Sequence, residues 1–326
     1  VAVAGLTNVN AASLEEAIKG VDVSGQFRFR AQEMSTTGTE ASDVEVEVGV
    51  KVPVTENVKA VFKIDNAGNH DDTNASNKGS VDIEDYYFSY NQGALTVNAG
   101  QQNIPGRLTD GAQGDGIVAL YNLGSATIGA ATFMNNTISS ENTNSVIAMG
   151  SFGPVSVLGQ YVDAEDAASS YNLKADASIA MVKVGGEYSE TELDATPSAD
   201  YATTKAYISG KAGIVSATLS YAKTADQGSG SLHSAAVSAA AGLEAPAEAL
   251  LWNVGTSGRA DYDALTIDAS VAVTPAVSLR AAYLSGEQGT GTNNEVTEAL
   301  GQISYKVAKN LNTYVRYVDV EDQGTD

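Results

Sequence analysis

Apolar and polar side chains alternate along this chain in segments of roughly ten residues, and this pattern constrains the fold more than any other feature. Valine occupies every even position from Val44 to Val54, with Glu45, Glu47 and Lys51 among the residues between them. Successive residues of a strand point to opposite faces of its sheet. Each segment therefore predicts a strand with one apolar and one polar face.

The connections between these segments alternate between short and long. Only Glu56 and Asn57 separate the second strand from the third, whereas a long polar connection, residues 66–80, follows the third. We assign about seventeen strands between residues 21 and 321 and find the alternation unbroken. Short turns on the periplasmic side and long loops on the outside are typical of an antiparallel transmembrane β-barrel. The sequence therefore predicts an all-β fold of this kind, in the outer membrane of a Gram-negative cell.

The two ends predict how the chain is divided. Residues 1–11 have the small and apolar pattern of a signal-peptide remnant. Residues 12–20 predict a short periplasmic lead-in, helical with Ser13 as N-cap, or else a disordered terminus. The barrel then spans residues 21–326. Because barrels of this type have an even number of strands, we expect about eighteen, with the last one missing from this sequence.

Composition argues against an enzyme. The chain has no cysteine and two histidines, His70 and His233, which both lie in polar loop segments. No nucleophile elbow, phosphate-binding loop or dinucleotide-binding spacing is present. We expect no catalytic residue, no cofactor and no nucleic-acid partner.

Three stretches resemble one known family. Residues 13–25, followed by 27–30, resemble the mature N-terminus of the Campylobacter-type major outer membrane proteins. Residues 100–103, leading to Thr109 and Asp110, and residues 309–317 are similar to later parts of that family, whereas the loops do not match. The resemblance implies a general porin with about eighteen strands that assembles as a homotrimer and passes ions and small hydrophilic solutes.

Charged residues on the polar faces predict the lining of a water-filled channel, because a basic residue facing lipid costs about 2–4 kcal/mol at the bilayer midplane. The residues expected to line the channel are the basic Arg28, Arg30, Lys51, Lys59 and Lys63 and the acidic Glu45 and Glu47.

A constriction is expected at the third long connection, residues 104–115, because the third loop of general porins folds inward. It carries Arg107, Asp110 and Asp115. If these face the basic residues of the early strands, opposed charges create a field across the channel. The alternative is that all of them are ordinary solvated charges.

The net charge of −22, from 40 acidic and 18 basic residues, predicts a mild cation preference. Acidic loops also raise the prospect of bound Ca²⁺, although no segment has the spacing of an EF-hand.

The long connection at residues 225–259 is the one place where the alternation breaks. Residues 234–251 predict a short helix over or inside the channel mouth, and the alternative is a strand pair that includes residues 232–241. Trp252 is expected to pack within this loop or to anchor at the membrane interface.

Two competing functions remain open from the sequence. One is a surface adhesin or structural barrel with a closed lumen. The other is a secreted, soluble β-rich protein. The apolar faces of the early strands and the regular alternation of connections argue against the second.

Overall fold

The computed structural model describes residues 19–34, 39–66, 81–195, 201–230, 249–289 and 295–322. Within them lie 17 strands that form one sheet. The strands are β1 (Asp22–Met34), β2 (Thr39–Pro53), β3 (Val58–Asp65), β4 (Asp82–Gln92), β5 (Leu95–Asn103), β6 (Gln113–Asn122), β7 (Ala126–Asn136), β8 (Thr143–Phe152), β9 (Val155–Ala164), β10 (Ala168–Ile179), β11 (Val182–Leu193), β12 (Tyr201–Ala212), β13 (Val215–Thr224), β14 (Tyr262–Ala272), β15 (Val277–Gln288), β16 (Glu295–Ala308) and β17 (Leu311–Asp322).

Every strand pairs in antiparallel fashion with the next strand along the chain, from β1 with β2 to β16 with β17. The edges of the sheet are β1 and β17, and no pairing joins them within the described ranges. The predicted succession of strands is confirmed, and the eighteenth strand stays a prediction. No helix among the described residues is long and apolar enough to cross a membrane.

The connections alternate in length as the sequence predicts, with two exceptions at the outer end. Only four residues, 35–38, lie between β1 and β2, and only three, 165–167, lie between β9 and β10. At one end of the sheet, neighbouring strands are joined by two to four residues, as at 54–57, 93–94 and 309–310. At the other end lie the longer connections, including 104–112 between β5 and β6 and 225–261 between β13 and β14. Short turns of barrels face the periplasm, so we call the two ends the periplasmic end and the outer end.

The two faces of the sheet differ in chemistry. Phe27, Phe29 and Val315 are 71%, 63% and 75% exposed and lie on the outer face, where lipid covers a barrel. Glu45 and Glu298 are 5% and 0% exposed and lie on the opposite, inner face. In a membrane barrel, apolar side chains face the lipid and charged side chains face the polar interior, which explains this division.

Two apolar clusters lie on the inner face, each beneath a connection from the outer end. The first contains Ile104, Ala112, Val118 and Phe133. The second contains Val254, Tyr262, Ala264, Leu284 and Val296. Residues 104–112 and the described residues 249–261 of the second connection therefore fold into the barrel rather than away from it.

Several predictions concern parts of the chain that the structure does not describe. They are the signal-peptide remnant, nearly all of the lead-in, both histidines, and the helix or strand pair expected within residues 232–248.

Candidate functional site

The inner face of the first strands carries ion pairs rather than a basic patch. The guanidinium of Arg28 in β1 contacts the carboxylate of Glu45 in β2, and these residues are direct partners in the strand register. Gln26 Nε2 also donates to Glu45 Oε1, at 3.2 Å. The positive charge of Arg28 is therefore balanced locally.

Lys63 in β3 stands among several carboxylates. Its Nζ lies 2.6 Å from Glu84 Oε2, 3.3 Å from Glu47 Oε1 and 3.7 Å from Asp65 Oδ2. A β-bulge in β4 leaves Glu84 unpaired in the register and places Asp85 opposite Lys63. This part of the wall thus combines one lysine with an excess of acidic groups.

The other basic residues predicted here lie on the same inner face. Arg30 is buried at 9% exposure, two residues beyond Arg28 toward the outer end. Lys51 and Lys59 lie near the 54–57 turn, at the periplasmic end. The structure therefore spreads the five basic residues along the height of the wall rather than gathering them at one level.

The third connection, residues 104–112, lies against the inner wall and is held there by Gln160 of β9. Gln160 Oε1 accepts hydrogen bonds from the backbone N–H groups of Arg107, at 2.7 Å, and Leu108, at 3.0 Å. Its Nε2 donates to the backbone oxygen of Pro105, at 3.2 Å. Gly106 has a φ of 140°, and a Cβ there would collide with the Gln160 side chain. Glycine permits both the conformation and the close approach.

Arg107 extends this connection across to β11. Its Nε lies 2.5 Å from Glu187 Oε1 and its Nη2 lies 3.0 Å from Glu187 Oε2, which is a bidentate pair. Asn172 Nδ2 donates to the same carboxylate, at 2.9 Å. Burial lowers the pKa of Arg107, but the hydrogen bonds and charge of Glu187 outweigh burial and raise that pKa above its usual value.

The two acidic residues predicted in this connection occupy different places. Asp110 is exposed within the connection. The expected boundary at residue 115 is wrong, because β6 begins at Gln113. Strand alternation puts Asp115 on the face of Ile117, which is the outer face, and Asn135 Nδ2 donates to Asp115 at 3.3 Å. Asp115 therefore does not stand beside Asp110 in the interior.

Residues 249–261, from the connection between β13 and β14, fold onto the inner wall formed by β14, β15 and β16. The carboxylate of Glu298 in β16 accepts backbone N–H groups of Trp252 at 3.1 Å, Asn253 at 3.0 Å and Val254 at 2.9 Å. Arg316 of β17 places its guanidinium carbon 3.8 Å from the centre of the Trp252 ring. Of the two locations expected for Trp252, the structure excludes the outer face. The ring lies inside the barrel, where it packs against Arg316.

A cavity of about 600 Å³ with both polar and apolar lining lies on the inner wall, nearer the periplasmic end than Arg107. Its lining includes Thr127, Ser156, Lys174 and Asp176. Such hydroxyl and charged groups favour water. Among the described residues, no group of three or more acidic, histidine or cysteine side chains is arranged to hold a metal ion, and the calcium site stays a prediction.

The residues that shape this interior, Gln160, Glu187 and Glu298, were missed by the sequence analysis. Each stands at an inward position of its strand, and this alternation was the available signal. Their partners are far away in the chain. Gln160 is 52 residues from Leu108, Glu187 is 80 residues from Arg107, and Glu298 is 44 residues from Val254. Periodicity within one strand carries no information about such partners.

Comparisons with known proteins agree with the geometry. A family model described as Campylobacter major outer membrane protein matches residues 1–190. No curated protein matches the chain.

Solved outer-membrane structures share the fold. A BenF-like porin from Pseudomonas fluorescens Pf-5 has a TM-score of 0.69 and 13% identity, with 93% of this chain and 94% of that chain covered. The outer membrane protein opdK from Pseudomonas aeruginosa has a TM-score of 0.70 and 12% identity, with 93% of each chain covered. Because the family model spans more than half of its length, the chain belongs to the Campylobacter major outer membrane protein family, and its strands form the barrel of an outer-membrane porin.

Proposed function

We propose that the barrel is a water-filled channel for passive diffusion of ions and small hydrophilic solutes, with the third connection as its constriction. The observation that carries this proposal is the anchoring of residues 104–112 on the inner wall through Gln160 and Glu187. Because this loop is held by Gln160 of β9 and by the ion pair of Arg107 with Glu187 of β11, it narrows the lumen at a fixed place. The remaining inner wall is lined by charged and hydroxyl groups, which keep water in the lumen.

We also propose a mild cation preference whose source is the outer mouth. The inner wall carries paired charges, such as Arg28 with Glu45 and Arg280 with Asp268. The described connections at the outer end contain more acidic than basic residues. Their acidic residues are Asp110, Glu141, Glu165, Asp166, Asp194, Asp226 and Asp261, and their basic residues are Arg107 and Arg259. Negative potential at the mouth raises the local cation concentration.

We propose a homotrimer embedded in outer-membrane lipid, on the strength of the resemblance to the family. We infer no catalytic role, since a porin family and a porin fold favour a channel. We also propose that acidic loops can bind Ca²⁺. The bound ion would add positive charge at the mouth and reduce the cation preference.

The test is planar-bilayer conductance of the protein in a KCl gradient. Open-channel steps with a cation-selective reversal potential support the proposal. Asp110→Lys, within the constriction, is expected to lower the cation-to-anion permeability ratio by about two- to fourfold. This follows from the Coulomb energy of two charge units at about 10 Å in water, which acts with opposite sign on cation and anion and is screened over a Debye length of about 10 Å at 0.1 M KCl.

The matched control is Asp115→Lys, which makes the same change on the outer face of β6. It should leave the permeability ratio unchanged. Equal effects of the two variants would contradict a constriction at 104–112. Correctly folded protein that gives no steps would favour the alternative, an adhesin or structural barrel with a closed lumen.

A further inference from the structure

The periplasmic end of the inner wall is basic, in contrast to the net charge of the chain. Lys183 lies two residues after the β10–β11 turn, and Lys211 lies two residues before the β12–β13 turn. Strand alternation places both on the inner face. Val182 and Val184, on either side of Lys183, are exposed on the outer face, and so is Ile208, three residues before Lys211. Two ammonium groups on adjacent strands thus face the interior near the channel exit.

Hydroxyl groups surround these two lysines. Lys183 is opposite Ser178 in one strand pair and opposite Ser209 in the next, and Lys211 is opposite Ser216. A cavity of about 420 Å³ is lined by Lys183, Lys211, these three serines and Thr218, among others. Ammonium and hydroxyl groups are both hydrogen-bond donors to oxyanions.

Nearby acidic groups only partly balance this charge. Lys183 Nζ lies 3.4 Å from Asp176 Oδ2, and its side chain is still 45% exposed. Lys211 makes no ion pair with any residue that the structure describes. Lys51, Lys59 and Lys306 also lie on the inner face close to the periplasmic turns. Besides Asp176, the acidic residues at this end of the described chain are Asp22, opposite Lys51, and Glu56 in the 54–57 turn.

We propose that the cavity at Lys183 and Lys211 is a binding subsite for oxyanions, such as phosphate groups of small solutes, at the periplasmic mouth of the channel. This inference rests on the proposed channel function. An oxyanion entering from the periplasm meets two ammonium groups and several hydroxyls before any excess of acidic groups. A multivalent anion bound there occupies part of the exit and reduces the ion current. From the outer side, the same anion must first pass the acidic mouth and the constriction.

The experiment measures single-channel current in KCl while tripolyphosphate is added to each compartment in turn. An Asn310→Cys variant labelled with biotin marks the compartment that the short turns face, because the chain has no other cysteine. We expect concentration-dependent block from the periplasmic compartment at concentrations that have no effect from the other. Lys211→Gln and Lys183→Gln should each weaken the block about tenfold, as expected for loss of one charge-assisted hydrogen bond.

Lys223→Gln is the matched control, because Lys223 is on the outer face and pairs with Asp263. It should leave the block unchanged, and Lys211→Arg should retain it. Equal block from both compartments, or block that survives both glutamine substitutions together, would overturn the subsite. A channel that conducts without block refutes only the subsite, whereas folded protein without conductance refutes the proposed function itself.

Discussion

Ala180 has a left-handed backbone conformation, with a φ of 53°, at the first position of the two-residue β10–β11 turn. The equivalent positions of three other two-residue turns are Gly93, Gly153 and Gly213, with φ of 58° to 60°. Left-handed conformations are unfavourable for residues with a Cβ. We therefore predict that Ala180→Gly raises the free energy of unfolding by about 0.5–1 kcal/mol, measured by urea unfolding in lipid vesicles.

The reverse change at Gly213 is the control for this residue-scale prediction. No atom lies within 4 Å of a Cβ built at Gly213, so Gly213→Ala tests backbone conformation without a steric clash. It should lower the free energy of unfolding by a similar amount. A destabilised Ala180→Gly variant would show that the alanine side chain contributes packing that outweighs the strain of its backbone.

The carboxylate of Glu298 is the main hydrogen-bond acceptor for the connection 249–261, which also has an ion pair from Arg259 to Asp322. Removing that acceptor in Glu298→Ala leaves three backbone N–H groups without their partner. We expect the connection to leave the wall and Trp252 to become accessible to water. Because Trp252 is the only tryptophan, its fluorescence reports this element alone. The predicted result is a red-shifted emission and stronger quenching by iodide.

The control for this element is Glu295→Ala, at an exposed position near the start of the same strand. Emission and quenching should stay as in the unaltered protein. If Glu298→Ala also leaves them unchanged, the apolar cluster of Val254 with Tyr262 and Leu284 holds the connection without the carboxylate.

At the scale of the whole molecule, negative and positive charges lie at opposite ends of the channel. Acidic loops surround the outer mouth, while lysines lie near the periplasmic turns. The Debye length is about 30 Å at 0.01 M salt and about 3 Å at 1 M. If the cation preference arises at the mouth, the cation-to-anion permeability ratio should therefore fall toward unity as the KCl concentration rises over this range. Reversal potentials at a fixed gradient ratio would measure this permeability ratio. A preference that persists at 1 M would instead locate selectivity at the constriction.

Much of the fold was predictable from local patterns. Valines from Val44 to Val54 identify one strand and its outer face, and the Gly153–Pro154 turn identifies a connection. Each of these signals lies within about ten residues of chain. The boundary of β6 was misplaced because Gln113 and Gly114 look like loop residues, although they pair with Asn103 and Gln102 of β5.

The sequence by itself determined the number and order of the strands, the side of each that faces lipid, and the end at which the long connections lie. It did so because strand periodicity and turn length are local properties of the chain. Only the tertiary structure decided which connections fold inward and which charges meet. Arg107 pairs with Glu187 of β11, 80 residues away, because barrel curvature and loop path bring together groups far apart in sequence. The inward position of residues 104–112 is therefore a product of long-range packing.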